Sequence, residues 1–180
     1  MRLKAREVEK PLGFSLAGVE VINPEPQAPP VRVQARVNLG ASMVELRTEA
    51  LLGGAVLEVF ARHGLGQVLS HWTWLPSLER QFARGGRRFL NRDGHLVLRL
   101  MTPRGMRYEE AYAKAHPFYA LVEGMMSAPM VEESADIAAR ALEQGVRVSV
   151  IVNNRAGGNA PLIARHVAAC FLRRRKPGAA

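Results

Sequence analysis

Only one of the 180 residues is cysteine, so no internal disulfide can form. Cys170 falls in the apolar-rich run 166–172 and reads as a small core residue rather than a nucleophile. No apolar run approaches the ~20 residues of a membrane-spanning helix. The start Met1-Arg2-Leu3-Lys4 leads into Glu7 and Glu9 rather than an apolar signal core, so the expectation is a cytoplasmic protein with no membrane partner. No internal repeat of fixed period is present. None of His63, His71, His95, His116 and His166 stands at metal-ligand spacing, and neither a metal nor a cofactor is expected. The Walker lysine and the dinucleotide glycine spacing are both missing. Acidic residues are the minority, 16 against 25 Lys plus Arg, which gives a net charge of +9 and permits contact with phosphates. The basic residues gather at Arg84, Arg87, Arg88 and Arg92 and again at 173–176, each group after a predicted helix. Cations there suit the negative end of the helix dipole, and that reading is favoured over nucleic acid, for which no fold motif or aromatic interleaving exists.

With 48% hydrophobic and 23% charged residues the composition is that of an ordinary folded domain. From residue 43 the chain alternates strand and helix signals. Strands are expected at 43–48, 67–72, 95–101 and 147–152, rich in β-branched or alternating apolar residues. Helices are expected at 55–63, with Gly64 as C-cap, at 75–84, ended by Gly85-Gly86, around Tyr108 and Tyr112 up to Pro117, at 118–125, at 129–144, and after Asn159, a plausible N-cap with Pro161 in the first turn. Four βα units in succession imply a parallel sheet with right-handed crossovers. A complete (β/α)8 barrel needs about 200 residues at the least, so the chain has room for half of one. The expected class is therefore α/β, a partial TIM-type barrel of four βα units.

Residues 1–42 are the least legible part. Residues 19–22 and 31–37 are short strand candidates around a connector holding Pro24, Pro26, Pro29 and Pro30, and they could add one or two edge strands. Residues 177–180 read as a disordered tail. An open sheet edge pairs with whatever strand is available, so either this N-terminal segment covers it or two copies of the chain associate through it, with self-coverage favoured.

Residues two apart in a strand share a face, so Glu45 and Arg47 point together, as do Val97, Arg99 and Met101, and Ser149, Ile151 and Asn153. Buried without partners these charges would be costly, so they either pair with one another or meet a ligand. Ser70-His71-Trp72-Thr73-Trp74 ends the second strand with an imidazole and two aromatic side chains that could stack on a flat ligand. His71 is either a general base or a hydrogen-bonded structural group. Arg104 follows the third strand, and Asn153, Asn154, Arg155 and Asn159 follow the fourth in a turn containing Gly157-Gly158. Polar groups just past strand C-termini are where α/β sheets and barrels place ligands, and a glycine-rich turn opening a helix can bind an anion.

The runs Val44-Glu45-Leu46-Arg47, Ser70-His71-Trp72-Thr73-Trp74, Thr102-Pro103-Arg104-Gly105 with Tyr108-Glu109-Glu110, and Val152-Asn153-Asn154 followed by Gly158-Asn159-Ala160 resemble the second half of the YecE-like family. That family consists of bacterial and archaeal TIM-barrel proteins without an agreed activity. The resemblance spans roughly residues 43–172, and its most specific marker is the Asn-Asn pair followed by Asn-Ala. It implies that the four units, within a domain at 43–176, are the last four of a barrel. Residues 1–42 do not resemble the family's first half, so a site assembled from both halves would be incomplete in this chain.

The function expected is binding of a small polar or anionic ligand at the strand C-termini. Glu45 and His71 are the candidate catalytic groups, Arg47, Arg99, Arg104 and Arg155 the anion clamps, Trp72 and Trp74 the stacking wall, and Asn153, Asn154 and Asn159 the orienting groups. The alternatives are an inactive remnant of a full barrel and nucleic-acid binding through the basic clusters.

Overall fold

The computed structural model describes residues 43–90 and 94–174, together with the backbone of 16–17 and 36–37. In chain order the strands are β1 (Leu16–Ala17), β2 (Arg36–Val37), β3 (Met43–Glu45), β4 (Gly66–His71), β5 (His95–Leu100) and β6 (Arg147–Val152). The helices are α1 (Gly54–His63), α2 (Leu78–Arg84), α3 (Tyr108–Ala115), α4 (Ala128–Glu143) and α5 (Ala160–Arg174), with 3-10 turns at Glu49–Leu51 and Asn154–Ala156. Strands β3 to β6 form one parallel sheet in sequential order, β3-β4-β5-β6. The N-terminal strands do not extend it. Leu16–Ala17 and Arg36–Val37 pair with each other, antiparallel, in a separate two-stranded sheet, so β3 and β6 are the edges among the described residues. The strand candidates at 19–22 and 31–35, the cations Arg92, Arg175 and Lys176, and the tail 177–180 lie outside the described residues.

Alternation along the strands decides which face carries the core. Leu96, Leu98 and Leu100 point to one side of β5, and the register Leu69↔Leu98 puts Leu69 beside them. This face meets Leu78 and Phe82 of α2, Met130 and Ile137 of α4, and Ile163 and Val167 of α5. At the β3 end, Val44 and Leu46 continue the same face against Leu57 and Phe60 of α1, with Leu65 and Leu75 closing the cluster. Helices α1, α2, α4 and α5 thus cover one side of a singly wound sheet. Leu98 is fully buried in it, and truncation to alanine there costs about 3 kcal/mol by the usual transfer and cavity terms.

Local signals explain most boundaries. Helix α1 stops at Gly64, whose left-handed φ of 66° lets the Leu65 N–H reach Phe60 O at 2.8 Å and turns Leu65 into the core. Helix α2 starts at Leu78 rather than 75, because the residue before Pro76 is driven out of helical geometry; Ser77 is the N-cap and accepts from Arg80 N. The helix expected at 118–125 does not form. Phe118 has φ 70°, its carbonyl accepts from Asn159 Nδ2 at 2.7 Å, and the Val122 N–H donates to Gly157 O at 2.9 Å. Those backbone groups bind the loop after β6, which tertiary contact makes more favourable than a short isolated helix.

Candidate functional site

The face opposite the core carries Glu45, Val68, Ser70, Val97, Arg99, Ser149 and Ile151, and the register Ser70↔Arg99↔Ile151 sets three of them in a row. Strand β3 ends at Glu45, one step before that row, and its side chain, 4% exposed, leans toward it. Glu45 Oε1 accepts from Ser70 Oγ at 2.7 Å and from Arg99 Nη1 at 2.5 Å, while Oε2 accepts from Arg47 Nε at 3.0 Å. Arg47, 59% exposed, also lies over the Trp72 ring at 5.1 Å. Burial alone would raise the Glu45 carboxyl, but the Ser70 hydrogen bond, the Arg99 charge and the bond and charge from Arg47 together hold it below the ordinary carboxylate range. It is therefore ionised at neutral pH and a weak base. One carboxylate between two guanidiniums leaves the cluster positive, with guanidinium N–H groups beyond those bonded to Glu45.

Ser70 was not among the residues singled out from the sequence, although the same parity that pairs Glu45 with Arg99 places it between them. It is held by a second residue that sequence reasoning passed over. Beyond Glu45, β4 has no β3 partner, and the fully buried side chain of Gln81 takes that place: Oε1 accepts from Ser70 N at 3.1 Å, and Nε2 donates to Ser70 O and Pro76 O, both at 2.8 Å. A glutamine inside an amphipathic helix gives no sign of this in the sequence.

His71 lies on the opposite face of β4 from Ser70, away from Glu45. Its ring is buried, Nε2 has no hydrogen-bond partner among the described residues, and burial together with the nearby Arg104 charge pushes its pKa down to about 4. The imidazole is thus neutral at physiological pH. Arg104 donates from Nε to Leu75 O at 3.1 Å. Trp74 is 66% exposed in the turn after β4.

The turn after β6 is engaged with itself. Asn153 Oδ1 accepts from Arg155 N, Asn154 Oδ1 from Ala160 N, and Asn159 Oδ1 from Leu162 N, which makes Asn159 the cap of α5. The N–H groups of Ala156, Gly157 and Gly158 donate to Asn153 O or Asn154 O. An anion would find few free donors there. Gly158, at φ 108°, is required by space as well as by backbone: a Cβ would collide with Ala120 O and would stand 2.9 Å from Val122 N. The Arg155 guanidinium lies over the Tyr108 ring at 4.2 Å.

The structure thus brings Glu45, Arg47, Arg99 and Trp72 together, sets His71 and Arg104 on the other face, and engages Asn153, Asn154 and Asn159 with backbone. Among the basic residues, Arg84 pairs with Glu49, Arg87 with Glu79 and Arg174 with Asp136. Arg88 lies beside Gly66 and His95, the first residues of β4 and β5, at the end of the sheet away from Glu45. No helix among the described residues is long and apolar enough to cross a membrane. No protein-family model, curated protein or solved structure matches the chain.

Proposed function

We propose that the four βα units are the last four of a TIM-type barrel of the YecE-like kind, and that Glu45, Arg47, Arg99 and Trp72 form a binding site for a small anionic ligand. Sequential parallel strands with helices packed on one face support the barrel reading, because a doubly wound sheet would reverse its strand order and carry helices on both faces. The ligand reading rests on one observation. A single buried carboxylate holds two arginines side by side near the strand C-termini, on the face that would line a barrel, and leaves them with excess positive charge and uncommitted donors. Glu45 acts in this reading as the group that positions the arginines, not as the acid or base.

Isothermal titration with inorganic phosphate tests it. Saturable binding that weakens about tenfold or more in Arg99→Gln, a loss of about 1.4 kcal/mol, is expected. Absence of binding, or equal binding by the variant, would favour a remnant in which the network serves stability alone.

A further inference from the structure

A cavity of about 250 Å³ opens on the helix-bearing side of the sheet, at the C-terminal end of β4, between the starts of α2 and α4. Its walls include His71, Ser77, Arg104, Ser127, Met130 and Glu133. Because His71 and Ser70 point to opposite faces, this space is separate from the Glu45 cluster.

Its charges are arranged unusually. Arg104 and Glu133 line the same cavity with opposite signs, yet neither forms an ion pair among the described residues. Arg104 is oriented by the bond from Nε to Leu75 O, which leaves both Nη groups available. Glu133 is oriented by accepting the Glu79 N–H at Oε2, 3.3 Å away, which leaves Oε1 available. A cation and an anion held apart by separate backbone anchors complement a molecule that carries both charges, whereas a simple anion would satisfy Arg104 and be repelled by Glu133.

A further feature points to a polar occupant. His71, 96% buried, lines the cavity while its Nε2 lacks a partner. Buried polar atoms are normally paired, and an orphan in the cavity wall marks a place where a polar group is wanted. The wall on the α4 side is apolar and polarisable, with Met125 and Met130 both buried.

We propose that this cavity binds a small zwitterion of the free α-amino-acid type, with Arg104 taking the carboxylate, Glu133 the ammonium and the methionines an apolar side chain. The neutral His71 supplies hydrogen bonding without disturbing the balance of one charge of each sign.

The test is isothermal titration of the full chain with L-methionine, with acetate and methylammonium as probes of one charge each. L-Methionine is expected to bind saturably, at least tenfold more tightly than either single-charge probe. Arg104→Gln and Glu133→Gln should each weaken it about tenfold, while Arg62→Gln on α1, exposed and distant, should not. Glutamine at 133 keeps an acceptor for Glu79 N–H, so that variant retains the local structure; should it unfold nevertheless in far-UV circular dichroism, Arg104→Gln alone carries the comparison. Acetate binding as tightly as methionine, no methionine binding, or both charge variants binding like the parent would overturn the proposal.

Discussion

Replacing Arg99 by methionine removes one of two guanidiniums from a carboxylate that is almost wholly buried, and its cost can be worked out from the geometry. Removing one partner of a buried ion pair typically costs about 3–5 kcal/mol, because a charge is left without compensation. Here Arg47 and Ser70 still bind Glu45, at 3.0 and 2.7 Å, and Arg99 is itself about a quarter exposed, so the loss should be smaller, about 2 kcal/mol. In urea that is a midpoint shift of roughly 1 M for a slope near 2 kcal/mol per M. Adding Glu45→Gln takes away the stranded charge, and the double variant should recover about 1 kcal/mol relative to Arg99→Met, a coupling typical of contacting residues. The pH dependence has a definite sign. The folded carboxyl lies below the ordinary 4.5, so its contribution is present above that value and is lost as pH falls through the lower, folded one. Arg99→Met removes one of the causes that lower it, so the acid-labile contribution should be smaller than in the parent and its loss complete at a higher pH. Urea unfolding followed by far-UV circular dichroism at pH 7 and in steps down to about pH 3 measures both effects. If Arg99→Met unfolds within about 0.5 kcal/mol of the parent, or the double variant is weaker than the single, Glu45 is not held by this network as described.

His71 should make stability fall between pH 6.5 and 4, because the unfolded imidazole takes its proton in that range while the folded one, at about 4, does not; the full effect is about 3 kcal/mol, and His71→Gln should flatten the slope. Gln81→Ala leaves Ser70 N, Ser70 O and Pro76 O without partners in a buried site and should cost about 3 kcal/mol, read as a urea midpoint shift without loss of helical signal in the native baseline. Gly158→Ala meets both an unfavourable φ and the 118–122 backbone and should cost about 2 kcal/mol or more, whereas Gly53→Ala, which meets nothing within 4 Å, should be near neutral in the same thermal melts.

The strands and their faces were legible because the contrast between neighbours is strong: Leu96, Leu98 and Leu100 against Val97 and Arg99 leave a single way for β5 to sit on a core. Helix starts were legible where a cap stands alone, as at Asn159, and displaced where a proline intervenes, as at Pro76. The stretch 118–125 has enough apolar residues for a helix, and no local rule shows that Gly157 and Asn159, some forty positions later, bind its backbone. The ion pairs of the basic clusters were hidden for the same reason, since Glu49 and Asp136, the partners of Arg84 and Arg174, lie 35 and 38 positions away.

The candidate site divides along a physical line. Period-two alternation carries a charge's face but not its partner, which is why Glu45, Arg47 and Arg99 could be assembled while the choice between ion pair and ligand stayed open. The pair and the excess charge stand together, so the two alternatives are not exclusive: the Glu45 carboxylate orients both arginines and still leaves donors over. Asparagine is harder to read, because the amide that orients a ligand is the same amide that caps a helix or bridges a turn, and Asn153, Asn154 and Asn159 all face backbone N–H groups within a few residues. Glycine pairs carry the same ambiguity between donors for an anion and space for a neighbouring chain, and Ala120 decides it for Gly158. His71 shows the remaining limit: one step of parity moves it from beside Glu45 to the other side of the sheet, where burial and Arg104 remove its charge and the cavity next to Glu133 becomes its setting.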